Sequence, residues 1–196
     1  MTDYDALLQL ARQRRSPYAF DAAAEVSDEA LRRLFEVARW APSSYNEQPW
    51  RFVVGRRGSE AYGAVARSLH GRNPEWALTA PVLGLVLAAE TFAKSGKPNA
   101  HRRFDAGSAT FGLALAAETL GLGLHLMAGV DGAAAAGRLG VPDGFDAVAG
   151  FALGVRAEDP ASVVPEDLAE RAVQPKPRRP LSGTVFGAVW GDAGLG

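Results

Sequence analysis

Cysteine is absent from the 196-residue chain. That excludes disulfides, thiolate-bound metal and a cysteine nucleophile, and it fits a reducing cytoplasm. Histidine is scarce. His70, His101 and His125 lie far apart, with no metal-ligand spacing and no carboxylates clustered beside them, so no metal site is expected. Isolated histidines serve packing more often than catalysis. Long hydrophobic runs are missing as well. The most apolar stretch, Ala80 to Ala89, is about half of what a bilayer span needs. The opening residues Met1 to Asp5 are acidic and hold no apolar signal core. Neither sign of charge dominates; the net charge of -1 gives no global attraction to nucleic acid or an anionic membrane. There is no Walker loop and no Gly-x-Ser-x-Gly elbow. Gly121-x-Gly123 lacks a third glycine and precedes a strand rather than a helix, so it is not a dinucleotide fingerprint. No nucleophile, metal or acid–base pair stands out, which leaves demanding chemistry to an organic cofactor.

What is present describes one globular domain over residues 1–196. Hydrophobic residues make up 47%, enough for one sizeable core, and no internal repeat or domain boundary appears. Helical spacing runs from Tyr4 to Gln13 with Asp3 as cap, and ends in Arg12 to Arg15 followed by Ser16-Pro17. Those arginines are either partners of the helix dipole or contacts for a phosphate or ring. Ser27 caps a second helix, Glu29 to Trp40. Ala41 to Trp50 then separates it from a strand, Arg51 to Gly55. Pro42 and Pro49 predict a largely extended linker. Its serines, Asn46 and Gln48 both donate and accept hydrogen bonds, which suits a flat heteroaromatic ring; a capped turn is the alternative.

A third helix is expected over Ser59 to His70 and a short turn over Glu75 to Leu78. Val82 to Leu87 reads as a strand buried on both faces. Thr91 to Ala100 reads as a mobile loop or lid. His101 to Leu120 is the longest helix, and its many small residues imply deep burial and a subunit interface. Gly121 ends it. Leu124 to Met127 and Ala147 to Val155 are strands, with a helix from Asp131 to Leu139 between them. Beyond Ala157 the chain is rich in proline and charge. Leu181 to Trp190 alternates like a lone strand that must bury one face on the body or on a second subunit.

Four segments, in order, resemble the FMN-dependent nitroreductase family: Arg14-Arg15-Ser16; Pro42 to Phe52; Asn73, eight residues before Pro81; and the small-residue helix with Asp105 and Gly107, followed by Gly121 to Gly123 and Met127 to Gly129. The closing Lys176 to Leu181 is similar to the family's basic motif. The resemblance covers nearly the whole chain. It implies an α+β fold with a mixed central sheet flanked by helices, an intertwined homodimer, and an extension over 174–196 that reaches across the dimer. It implies FMN at the interface, NADH or NADPH as electron donor, and nitroaromatic or quinone acceptors that take turns with the nicotinamide. By position, Arg14, Arg15 and Ser16 hold the phosphate and ring. Pro42, Ser43, Ser44, Asn46 and Gln48 come from the other subunit. Asn73 meets the pyrimidine edge, and Met127, Ala128 and Gly129 pass near N5. Arg178 or Arg179 closes on the phosphate, with Lys176 as an alternative. Trp76, Phe104 and the loop Thr91 to Ala100 line the acceptor pocket. The chain departs from the family in carrying Tyr18 and Trp76 where cations near N1 and O2 are frequent. An oxygen-using flavin dehydrogenase or tailoring enzyme, and a non-catalytic flavin-binding protein, remain alternatives.

Overall fold

Seven helices and four strands form the computed structural model, which describes residues 2–192 and 194. In chain order they are α1 (Asp3–Gln13), α2 (Asp28–Ala38), β1 (Trp50–Arg56), α3 (Glu60–Ala66), α4 (Asn73–Ala77), β2 (Val82–Ala89), α5 (Arg102–Thr119), β3 (Leu122–Met127), α6 (Gly132–Arg138), β4 (Phe145–Val155) and α7 (Glu166–Val173). The sheet order is β1-β2-β4-β3. Every pairing in it is antiparallel, so the mixed sheet expected from the resemblance is not formed within one chain among the described residues. The α+β class stands.

β2 is the spine. Its first seven residues are buried, because helices cover both faces of the sheet. Leu83, Leu85 and Leu87 point to the side of α3, α4 and α6, where they meet Tyr62, Val65, Trp76 and Ala135. Val82, Val86 and Ala88 point the other way, to Leu34 and Ala38 of α2 and to Ala106, Ala109 and Leu113 of α5. The strand's period of two thus feeds two cores. Each fully buried leucine or valine contributes roughly 1.5–3 kcal/mol. Gly84 completes the fit: a Cβ there would stand 2.1 Å from the Phe151 ring.

Capping explains most helix starts. Thr2, rather than Asp3, caps α1, in a reciprocal pair with Asp5. Ser27 caps α2 and Asp131 caps α6. Ser59 caps α3, which stops at Ala66 instead of reaching His70. α7 lies in the stretch read only as rich in proline and charge. It buries only Leu168 and Ala169, too small an apolar stripe to stand out between prolines.

One further expectation fails. Leu181 to Trp190 is not a strand; it opens with a single tight turn, Leu181–Gly183, and leaves Trp190 89% exposed. Its backbone turns back on itself instead, with the Val185 N–H on the Leu181 carbonyl and the Gly187 N–H on the Asp192 carbonyl. Of the proposed 174–196 extension, residues 193, 195 and 196 lie outside the described residues. Within one chain the longest helix is buried along one face only. Ala106, Ala109, Leu113 and Ala117 face the core, but Phe104 (76%) and Phe111 (56%) are exposed on the opposite stripe, with open space at Gly107 between them.

Candidate functional site

At the C-terminal end of α1 the chain turns at Arg14, whose guanidinium is half-buried. Burial holds its basicity below the ordinary value. The like charge of Arg178 adds to this, Glu118 opposes it, and Arg156 adds again. Arg156, just past β4, is ion-paired to Glu118 near the end of α5. The Arg156 Nε is buried without a partner among the described residues. Arg178 turns onto the carbonyl of Lys176 at 2.7 Å. One carboxylate therefore serves a crowd of guanidiniums, and the surplus positive charge fits a multiply charged anion such as a phosphate. Arg15, Ser16 and Arg179 are exposed nearby in sequence. Lys176 instead donates to the Arg171 carbonyl at 3.0 Å, a contact that closes the end of α7.

An aromatic stack lies next to Arg14. Trp76 stacks on His125 with centroids 4.2 Å apart, and Tyr18 meets both rings edge-on, at 5.4 and 4.8 Å. Trp76 is 1% exposed, so it belongs to the core and does not wall an open pocket as expected. The reason is visible: its indole N–H is satisfied by Asn73 Oδ1 at 3.2 Å, which removes the cost of burying it. Asn73 also donates to the Gly129 carbonyl at 2.8 Å. A Cβ at Gly129 would stand 2.5 Å from that same amide nitrogen, so a larger residue there would displace the Asn73 side chain from its bond. Met127 is buried and Ala128 exposed. His125 Nδ1 lies 2.7 Å from the Pro17 carbonyl. Burial lowers the imidazole below its usual value. The carbonyl contact opposes this, while the charges of Arg14 and Arg171 add to it. The histidine is thus held neutral, as a strut between the Arg14–Ser16 loop and Trp76.

The other half of the set is built differently. Ser44–Asn46 forms a tight turn, and Tyr45, Asn46 and Gln48 adopt φ of 54°, 56° and 51°. The expected extended linker is therefore absent, even at Gln48 before Pro49. Left-handed non-glycine residues cost on the order of 1–3 kcal/mol each unless their surroundings hold them. Here the Ser44 N–H donates to Asp105 Oδ2 (3.1 Å) and the Gln48 N–H to Ser43 Oγ (3.0 Å). The Gln48 side-chain amide returns to the Asn46 carbonyl at 3.1 Å. The loop Thr91 to Ala100 is a buttress as well: its Ala93 N–H donates to Glu47 at 2.7 Å, and Phe92 packs edge-on against Tyr45. Pro42, Ser43 and Ser44 line a shallow hollow with His101, Phe104 and Asp105.

The arginines and this turn sit at opposite ends of one helix. Asp105 and Glu118 are thirteen residues apart on or beside α5, about 20 Å at 1.5 Å per residue. One chain sets Arg14 and Arg178 near Glu118 at one end and Ser44 against Asp105 at the other, while Asn73 and Gly129 lie on the far face of the sheet with Trp76. It does not bring the two together. Sequence reasoning missed Glu118, Arg156 and Arg171, since no local motif marks a charge whose partner is distant in the chain. Among the described residues no cluster of His, Asp and Glu could hold a metal ion, and no helix is long and apolar enough to cross a membrane.

Residues 11–77 match the model of the nitroreductase family. The chain is 44% identical over 52 residues to an oxygen-insensitive NADPH nitroreductase of Helicobacter pylori; the match takes in 26% of this chain and only 25% of that protein. Among solved structures, one described as an oxidoreductase containing FMN superposes with a TM-score of 0.85 at 38% identity, covering 93% of this chain and 92% of the other. A second, from Desulfovibrio desulfuricans and described as a nitroreductase in complex with FMN, gives 0.68 at 30% identity, over 88% of this chain and 98% of its own. Likeness of that depth over nearly whole chains, joined to the match of the Arg14 and Ser43–Asn46 segments, means that this chain belongs to the nitroreductase family.

Proposed function

We propose that the protein is an FMN-dependent oxidoreductase that passes reducing equivalents from NADH or NADPH to small oxidised acceptors, nitroaromatic compounds or quinones, at a site shared by two copies of the chain. The carrying observation is the division of the candidate arginines and serines between the two ends of α5, with Phe104 and Phe111 exposed along it. Two antiparallel copies of that helix would set the arginine end of one against the serine end of the other and bury the stripe. The 174–196 extension is proposed to add to the same contact, and a reducing cytoplasm is the proposed setting.

The residues suit FMN. Arg14 and Arg178, with Arg15, Ser16 and Arg179 beside them, would hold the phosphate, which relieves their mutual repulsion. Asn73 has spent one donor and one lone pair inside the chain, and keeps one of each for the pyrimidine edge. Pro42, Ser43, Ser44, Asn46 and Gln48 of the second copy would meet the ring. The backbone of Met127 to Gly129 would pass near N5, and Phe104 would line the acceptor pocket. Bound FMN supplies two-electron chemistry that no side chain here offers. With no dinucleotide clamp in the sequence, the nicotinamide and the acceptor would use one open face in turn.

The test is steady-state kinetics on purified, FMN-loaded protein. Varying NAD(P)H at several quinone concentrations should give parallel double-reciprocal lines. Intersecting lines would refute the shared face, and a protein that takes up no FMN would refute the whole reading.

A further inference from the structure

We propose that Arg171 sets the electron affinity of the bound flavin, by presenting a positive charge across Tyr18 to the end of the site occupied by Asn73. The proposal deepens the function given above and rests on it.

The geometry begins with α7. Arg72, at the start of α4, is ion-paired with Asp167, and Leu168 is buried, so α7 is fixed against the segment that carries Asn73 and Trp76. One turn further on, the Arg171 guanidinium lies 5.1 Å over the Tyr18 ring. Tyr18 packs edge-on against Trp76, and the Trp76 indole is bonded to Asn73. Arg171 is thus joined to Asn73 through two aromatic rings. No carboxylate pairs with it among the described residues.

The other groups at this end leave it the task. Tyr18 and Trp76 carry no positive charge, and His125 is held neutral. Arg72 is engaged by Glu75 and Asp167. Arg14 lies among Arg178, Arg156 and Glu118. The Arg171 charge nevertheless reaches the stack, since it and Arg14 both disfavour protonation of His125. A reduced flavin carries one more negative charge than the oxidised form, held near N1 and O2. A fixed cation at that edge therefore stabilises the reduced form more than the oxidised one. No local motif marks Arg171, which stands far in sequence from Tyr18 in a stretch read only as rich in proline and charge.

The experiment uses full-length protein with Arg171→Gln and Arg171→Lys. Arg171 is exposed, so neither change threatens folding. Affinity for oxidised FMN is read by fluorescence quenching, and the midpoint potential by equilibration with redox dyes. Arg171→Gln should bind oxidised FMN nearly as wild type does and reduced FMN about tenfold more weakly. That tenfold ratio lowers a two-electron potential by about 30 mV. Arg171→Lys should restore most of it. As a reading independent of the flavin, the His125 ring in Arg171→Gln should titrate at higher pH by NMR. An unchanged potential with normal FMN uptake overturns the proposal and leaves the function standing. Equal weakening of both oxidation states also overturns it, because Arg171 would then be a contact indifferent to ring charge. Wild-type protein that takes up no FMN overturns the function and the proposal together.

Discussion

The cluster around Trp76 is fixed by packing, whereas the turn at the N-terminal end of α5 is fixed by hydrogen bonds and strain. Around Trp76 the side chains are locked: it stacks on His125, Asn73 reaches Gly129, and Pro17 holds the imidazole. Around Asp105 the backbone does the work, with three left-handed residues held by Asp105, Ser43 and Glu47, and with Tyr45 92% exposed. The first behaves like a core with a polar rim. The second resembles a loop shaped for a surface that one chain does not supply. Damage to the first should therefore register in stability, and damage to the second mainly in binding.

The sharpest way to break that contrast is Trp76→Ala. It removes a fully buried indole and leaves the Asn73 carbonyl without its donor. The loss should be about 3–5 kcal/mol in urea unfolding. A loss below 1 kcal/mol would mean that the Trp76 cluster is not packed as described.

Next come Arg14→Ala and Arg178→Ala. Each should weaken FMN by roughly 1.5–3 kcal/mol while leaving riboflavin, which has no phosphate, almost unaffected. Equal weakening of both ligands in a titration would move these arginines to the ring.

A smaller effect comes from pH. His125 is held below the usual imidazole value of 6.5, chiefly by burial. Its contribution to stability is present above that value and is lost as pH falls toward the folded-state value, because the unfolded chain takes up the proton first. The stability advantage of wild type over His125→Gln should therefore be greatest above about pH 6.5 and shrink toward pH 5. Urea midpoints across that range would show it. A constant difference would remove His125 from the strut.

Tyr45→Gly should change stability least. Glycine relieves a positive φ but adds freedom to the unfolded chain, so the net gain should stay within about 1 kcal/mol. A large loss on calorimetry would show that the serine end, too, is held by side-chain packing, here Tyr45 on Phe92.

The same contrast explains what could be read in advance. Apolar periodicity located α2, β2, α5 and β4, and Ser27 and Asp131 marked helix starts. It could not orient the strands. A run buried on both faces, such as Val82 to Leu87, suits a parallel sheet as readily as an antiparallel one covered by helices on both sides. The conformation of Ser44–Asn46 was hidden because left-handed angles at Tyr45 and Gln48 depend on Asp105 and Glu47, not on the residues themselves. Asn73 and Gly129 were both named from sequence, but their bond to each other was not. Trp76 was drawn toward a pocket because a tryptophan gives no sign in sequence of where its N–H will find an acceptor.

The length of α5 has a consequence for inheritance. On the shared-site reading, every site takes its arginines from one chain and its serines from the other. A chain damaged at Arg14 and a chain damaged at Ser44 would each be inactive alone. Mixed in one cell, they would form heterodimers with one doubly damaged site and one that is wholly intact. Two defective alleles would then restore activity between them, and two alleles damaged at the same end would not.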